Sequence, residues 1–178
     1  MKTLVIYTSQ TGFTQRYARW LAERLNADAL ETKEAQKQPK DYFDQYQAIA
    51  YGGWVMAGKV AKVNWFLKQA AAWKGKRLAV FCVGGSPQGS RDAEILLQHL
   101  LNDEQKQTIR VFYCQGGYNY EKMNGPSRLA MKLVASVLRK KKDATEEEKK
   151  RAEAMSSSFD MSDKRFIEPI AAYLEGNA

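Results

Sequence analysis

Two cysteines, one histidine and no apolar run near the roughly 20 residues needed to cross a bilayer mark this 178-residue chain. Each scarcity removes a class of function. Cys82 and Cys114 lie inside apolar, strand-like runs and are too few for a disulfide framework or a metal knuckle, so both read as buried thiols. His99 is the sole histidine; it leaves no histidine-centred metal site and no Ser-His-Asp triad, and reads as an ordinary helical residue. The N-terminus lacks a basic region followed by a signal-like apolar block, so a cytoplasmic protein is expected. Also missing are the Gly-Lys-Ser/Thr ending of an ATP-binding loop and the three spaced glycines of a dinucleotide fingerprint, which disfavours nucleoside triphosphates and nicotinamide cofactors. Acidic residues are in deficit: 20 Asp and Glu against 28 Lys and Arg give a formal net charge of +8 and a pI near 9.4. Such a surface attracts anions, whether nucleic acid, acidic lipid or a carboxylate-bearing substrate, and charge does not choose among them.

What is present is concentrated in one turn. The strand-like run Leu4-Val5-Ile6-Tyr7 is followed by Thr8-Ser9-Gln10-Thr11-Gly12-Phe13-Thr14, with four hydroxyl side chains and one glycine. Tyr17, Ala18, Leu21, Ala22 and Leu25 then share one face of a helical pattern. Such a turn sets hydroxyls and unpaired backbone N–H groups at the positive end of a helix, where an anion is favoured. A single phosphate monoester fits it best, and Gly12 lets the backbone come close. The other reading of the same residues is that Thr8, Ser9 and Thr11 only cap the helix.

Strand and helix patterns alternate from there. Further strands are predicted at 29–31, 48–51, 78–83 and 109–114. One intervening helix carries Val60, Val63, Phe66, Leu67 and Ala70 on a face; another, capped by Ser90, carries Ala93, Leu96, Leu97, Leu100 and Leu101. Five strands with helices between them imply an α/β fold with a parallel, doubly wound sheet, whose ligands bind beyond the carboxyl ends of the strands. There the chain places Gly52-Gly53-Trp54-Val55-Met56-Ala57-Gly58, Gly84-Gly85-Ser86-Pro87-Gln88-Gly89 and Gly116-Gly117-Tyr118-Asn119-Tyr120. Glycine permits close backbone approach, and Trp54, Tyr118 and Tyr120 offer flat apolar surfaces. The expectation is a pocket for a planar ring whose phosphate is held after the first strand.

Over residues 1–120 and the final helix, these features resemble the flavodoxin family, and the hydroxyl-rich turn looks like that family's FMN phosphate loop. The resemblance implies a flavodoxin-like five-stranded sheet and FMN as cofactor. It places Ser9, Gln10, Thr11, Gly12, Phe13 and Thr14 at the phosphate end, and Gly53, Trp54, Val55, Met56, Ala57 and Gly58 along the isoalloxazine ring. Gly84, Gly85, Ser86 and Gly89 meet the ring's pyrimidine edge. Trp54 is the stacking residue implied; Tyr118 substitutes for the second aromatic that the family often places after the fourth strand and that this chain lacks there. No catalytic side chain and no metal ligand is nominated.

Two features depart from the acidic electron carriers of that family. The chain is basic, and roughly 45 residues separate the fifth strand from a last helix bearing Phe166, Ile167, Ile170, Ala171 and Leu174, more than a connection needs. One domain over 1–178, with a helical insertion at about 118–160, accounts for the pattern. Within the insertion Pro126 opens a helix whose apolar stripe is Leu129, Ala130, Leu133, Val134, Val137 and Leu138, flanked by Arg128, Lys132, Arg139, Lys140, Lys141 and Lys142. That helix either lies on an anionic membrane surface or packs on the domain with cations at its C-terminus. Thr145 and Glu148 form a capping-box pattern for a second short helix. A basic flavodoxin-like core with these extra helices is similar to the flavodoxin-type, quinone-dependent protoporphyrinogen IX dehydrogenases, and Arg128-Leu129-Ala130-Met131-Lys132-Leu133-Val134 resembles a stretch of those enzymes. The resemblance implies electrons passing from a porphyrinogen-like substrate through FMN to quinone, with no nucleic-acid partner. A flavodoxin-type soluble electron carrier and a flavin-free binding module remain the alternatives.

Overall fold

Apolar runs too continuous to have a wet face become the central strands of the sheet, since strands covered by helices on both sides need no polar alternation. In this computed structural model, which describes residues 1–140, 143, 145, 146, 149, 152, 153, 155 and 157–177, they are β1 (Thr3–Thr8), β3 (Ala48–Met56), β5 (Arg77–Gly84) and β6 (Ile109–Gln115). With β2 (Asp28–Glu31) they form a parallel sheet in the order β2-β1-β3-β5-β6. The predicted five-stranded parallel α/β fold is therefore present. The order reverses between β1 and β3, and the crevice beyond their carboxyl ends is where such sheets bind ligands.

Side chains alternate across the sheet. Ile49, Tyr51, Leu78 and Val80 face a core with Phe66 and Trp73, beneath α3 (Val63–Ala70) and α4 (Arg91–His99). Ala48, Ala50, Ala79 and Phe81 face the other core with Tyr17 and Leu21 of α1 (Phe13–Leu25) and Ile170 and Leu174 of α7 (Glu168–Glu175). Three alanines on that side let α1 and α7 approach the sheet closely. The short helices α2 (Thr32–Ala35) and α5 (Asp103–Lys106) precede β3 and β6. Cys82 and Cys114 are buried thiols in opposite cores, and burial pushes both thiol pKa values up.

Three expectations are corrected. The stretch 52–58 is not a loop: β3 runs on to Met56, turns through Ala57 (φ 48°) and Gly58 (φ 72°), and returns as β4 (Lys59–Val60). Val60 therefore belongs to a hairpin rather than to the helix that follows. The chain after β6 pairs as β7 (Gly117–Tyr118) with β8 (Phe159–Asp160), tying the start of the insertion to its end.

The insertion's helix, α6 (Gly125–Lys140), buries Ser127, Met131 and Ala135. Leu129, Leu133, Val134 and Val137, expected to share one packed or membrane-lying stripe, are exposed. Arg128 does not join a free basic flank, because its Nη2 donates to the carbonyls of Tyr120, Glu121 and Met123. The Thr145–Glu148 capping box and Lys141 and Lys142 lie outside the described residues. No helix among the described residues is long and apolar enough to cross a membrane.

Candidate functional site

The turn after β1 divides its hydroxyls between the interior and the helix. Thr8 turns inward, with Oγ1 2.7 Å from Thr32 Oγ1 and 3.0 Å from the Tyr51 hydroxyl. Ser9 Oγ accepts the Gly12 N–H at 3.2 Å. Gly12 stands at the N-cap with φ 99°, and a Cβ there would meet nothing within 4 Å; glycine is required by the backbone angle, not by space. No side chain caps α1 and its first turn holds no acidic residue, so the capping reading of Thr8, Ser9 and Thr11 is not what the turn does. The first N–H groups of this 13-residue helix lack the side-chain partner that such ends ordinarily recruit.

Thr14 supplies the decisive detail. It is 1% exposed, and its Oγ1 is buried without a hydrogen-bond partner. A buried hydroxyl left unsatisfied costs about 1–3 kcal/mol, and here it sits at the second residue of an uncapped helix, within its first turn. A phosphate oxygen would satisfy it together with the free N–H groups, so the donor set fits a phosphate monoester.

The turn opens into a cavity of about 680 Å³ beyond the ends of β3 and β5. Gln10, Thr11 and Phe13 form one end. The β3–β4 hairpin contributes Trp54, Val55, Met56, Ala57 and Gly58; the segment after β5 contributes Gly84, Gly85 and Ser86; and Tyr118 closes a side. Trp54 is half-buried and Phe13 buried, which leaves ring-sized apolar surface beside exposed backbone. Ser9, Gly12 and Thr14 belong to the turn and do not line this cavity.

Gly53 and Gly89 are not brought into it. A Cβ on Gly53 would lie 2.5 Å from Val60 Cγ1, so this glycine serves hairpin packing, and Gly89 (φ 73°) is an exposed turn residue ahead of the Ser90 cap. Tyr113, Met123, Met131 and Met155 also line the cavity and were not anticipated. Tyr113 donates to the Ser86 carbonyl at 2.8 Å, and burial pushes its phenol pKa up; the alternation of β6 is the signal that would have found it.

A second groove of about 570 Å³ runs along α1 and shares Thr11, Phe13 and Tyr118 with the first. Arg16, Arg19 and Lys122 stand on it with Trp20 and Asp160. The Arg16 guanidinium lies 5.6 Å from the Phe13 ring centroid and 5.9 Å from that of Trp20, and pairs with Asp160 at 2.5 Å. Although burial opposes ionisation, the hydrogen bonds from Arg16 and Ser162 hold the Asp160 carboxyl below its usual range. Nearby, Tyr17 donates to the Gln115 carbonyl and accepts the Asp163 N–H, clamping both ends of the insertion; burial pushes its phenol up to about 12. No cluster of potential metal ligands occurs among the described residues.

The family described as Flavodoxin domain matches residues 4–145. No curated protein matches the chain. Among solved structures, a flavodoxin from the domain Archaea is 18% identical with a TM-score of 0.47, covering 98% of this chain and 99% of that one. A flavoprotein in complex with FMN from Lactobacillus acidophilus NCFM is 17% identical over 64% of this chain and 91% of its own, with a TM-score of 0.47. The Trp repressor binding protein from Bacillus subtilis is 12% identical over 67% and 85%, with a TM-score of 0.49.

Proposed function

We propose that this chain, which belongs to the flavodoxin-domain family, binds FMN and works as a flavin-dependent oxidoreductase. The carrying observation is Thr14 Oγ1, a buried, unpartnered hydroxyl inside the uncapped N-terminus of α1. Thr14, the first N–H groups of α1, Ser9 and Thr11 hold the phosphate, with Gly12 setting the backbone. Trp54 and the hairpin through Gly58 flank the ring, Gly84, Gly85 and Ser86 present backbone groups to its edge, and Tyr118 and Phe13 close the remaining sides. Bound there, the flavin supplies two-electron chemistry between a reduced donor and an oxidised acceptor. The protein's own part is to orient the ring, exclude water and set the local field. With Arg16 neutralised by Asp160, Arg19 is the cation that would add positive field on this side, which would favour an anionic reduced cofactor and a potential less negative than in an acidic carrier.

Titration of the purified protein with FMN, riboflavin and FAD tests the reading. Tight binding of FMN with weak binding of riboflavin is expected; equal binding of the two removes the phosphate turn from the argument.

The substrate side of the proposal rests on the second groove. Arg19 and Lys122 line it without an ion-pair partner among the described residues, and it adjoins the ring cavity at Phe13 and Tyr118. A flat donor bearing carboxylates, such as a porphyrinogen, presents its ring to one cavity and its acid groups to the other, and a quinone serves as acceptor. A flavodoxin-type carrier is the competing reading, favoured by the family match alone. Anaerobic mixing of FMN-loaded protein with protoporphyrinogen and a short-chain quinone separates them: porphyrin and quinol appear together for the enzyme and neither appears for a carrier.

Peripheral contact with an anionic membrane completes the proposal. Leu129, Leu133 and Val137 recur every four residues along α6, are 60%, 58% and 69% exposed, and are accompanied by exposed Lys132 and Lys140. An outward apolar row with lysines beside it is the composition of an interfacial helix.

A further inference from the structure

The large cavity extends well past the ring site. Beyond Trp54, Gly85 and Tyr118 it continues between α4 and α6, where Ile95, Leu96 and Leu100 face Ala130, Met131 and Val134. Away from the turn and the ring site the polar side chains on the wall are exposed ones, Asp92 and His99 of α4 with Lys59 of β4 and Asn64 of α3, while the facing residues of α4 and α6 just named are apolar. The two ends therefore differ in chemistry: hydroxyls and backbone groups at the turn, hydrocarbon between the helices. A flavin accounts for the first and leaves the second without an occupant.

The apolar end also reaches the outside. Ile95 and Val134 line the cavity while remaining 45% and 42% exposed, and Val134 adjoins Leu133 on the outward row of α6. An apolar channel thus runs from the outward face of α6 to the edge of the ring site.

We infer that the α4–α6 channel holds the hydrocarbon chain of an amphiphilic redox substrate whose flat head group reaches the ring site. The inference rests on the flavin reading above and adds to it a place, and a specificity, for the acceptor's chain. Continuity with the ring cavity decides the occupant: a chain seated here has its head delivered beside Tyr118 and Gly85, whereas a peptide helix or a second copy of this chain would cover only the outer rim. Affinity should then depend on chain length, because each methylene drawn from water into the channel contributes about 0.8 kcal/mol, or about fourfold.

The test uses FMN-loaded oxidised protein and a series of 2-alkyl-1,4-benzoquinones from methyl to decyl, with binding followed by equilibrium dialysis so that no turnover is needed. Binding that tightens by about fourfold per methylene over the first several carbons is expected. Ala130→Trp, which fills the channel, should flatten that dependence to less than about twofold per methylene while FMN affinity stays unchanged. Val134→Asp at the mouth serves the same purpose should A130W fail to fold. Affinity independent of chain length in the unaltered protein overturns the inference, as does an undiminished dependence in a folded variant. If FMN itself does not bind, the flavin reading fails separately, and the same alkyl series on the flavin-free protein still decides the channel.

Discussion

A Cβ built on Gly85 would stand 2.5 Å from Cε1 and Cζ of Tyr118. Gly85 ends the loop edge of β5, whereas Tyr118 belongs to β7 and packs edge-on against Phe159 of β8, with ring centroids 5.0 Å apart at 81°. The missing side chain is thus the seat on which the start of the insertion rests against the end of β5. Gly85 does not have a positive φ, so what an alanine there meets first is the Tyr118 ring, not backbone strain.

That makes the cost of Gly85→Ala conditional on one neighbour. Overpacking costs about 1–3 kcal/mol, and in a chain of this size each kcal/mol lowers the melting temperature by about 2–4 °C. G85A should melt lower by several degrees, and adding Tyr118→Ala should recover most of the loss although Y118A alone is itself destabilising. Additive losses in the double mutant, measured by thermal unfolding, would show that the contact is not what excludes a side chain.

Thr14→Val keeps shape and removes the orphaned hydroxyl. In flavin-free protein the change should be neutral or stabilising by up to about 1 kcal/mol, because an unsatisfied buried group disappears. FMN affinity should fall about 10- to 100-fold, the worth of a hydrogen bond to a charged group, while riboflavin affinity stays put. Titration of both flavins with the same variant gives the comparison, and an equal loss for both would mean that Thr14 acts through packing.

How far the sequence disclosed all this depends on which residues are asked. The strands of the sheet were legible because runs such as Leu78–Val83 are continuous and apolar, and burial on both faces is the one environment that suits them. The hydroxyl turn was legible because Ser, Thr and Gly cluster between a strand and an amphipathic helix. The β3–β4 hairpin escaped because its two-residue turn puts Ala57, not asparagine or aspartate, at the first positive φ, and the usual Asn-Gly or Asp-Gly signal is absent. The orientation of α6 escaped for a tertiary reason. Leu129, Leu133 and Val137 form its strongest apolar row, yet the inward face is the weaker row of Ser127, Met131 and Ala135, chosen by small residues that admit Tyr118, Tyr120 and Met155.

The Arg16–Asp160 pair predicts an acid response local to the β7–β8 ribbon. Asp160 has its pKa lowered below the ordinary 3.8, so its contribution is complete above the unfolded value and is lost as pH falls through the lowered one. Amide protection at Tyr118 and Asp160 should decline below about pH 4, earlier in high salt because both side chains are partly exposed. Asp160→Asn should show the loosened ribbon already at neutral pH. Protection that is indifferent to both pH and the substitution would remove this pair from the list of ribbon anchors.

The outward row of α6 gives the prediction that separates a membrane-facing helix from a merely exposed one. Leu133 and Val137 are 58% and 69% exposed, so Leu133→Ser with Val137→Ser should alter folding stability by no more than about 0.5 kcal/mol each. Flotation with vesicles containing anionic lipid should nevertheless fall sharply, because the buried apolar area that holds an interfacial helix is gone. Lys132→Ala and Lys140→Ala should each weaken vesicle binding about fivefold, corresponding to about 1 kcal/mol per basic residue near an anionic surface, and should leave binding to neutral vesicles unaffected. Loss on the serine changes alone would mean that hydrocarbon carries the contact; loss on the alanine changes alone would mean that charge does. Retention of flotation in all three variants would assign vesicle binding to another surface and leave the row on α6 to the channel that opens beside it.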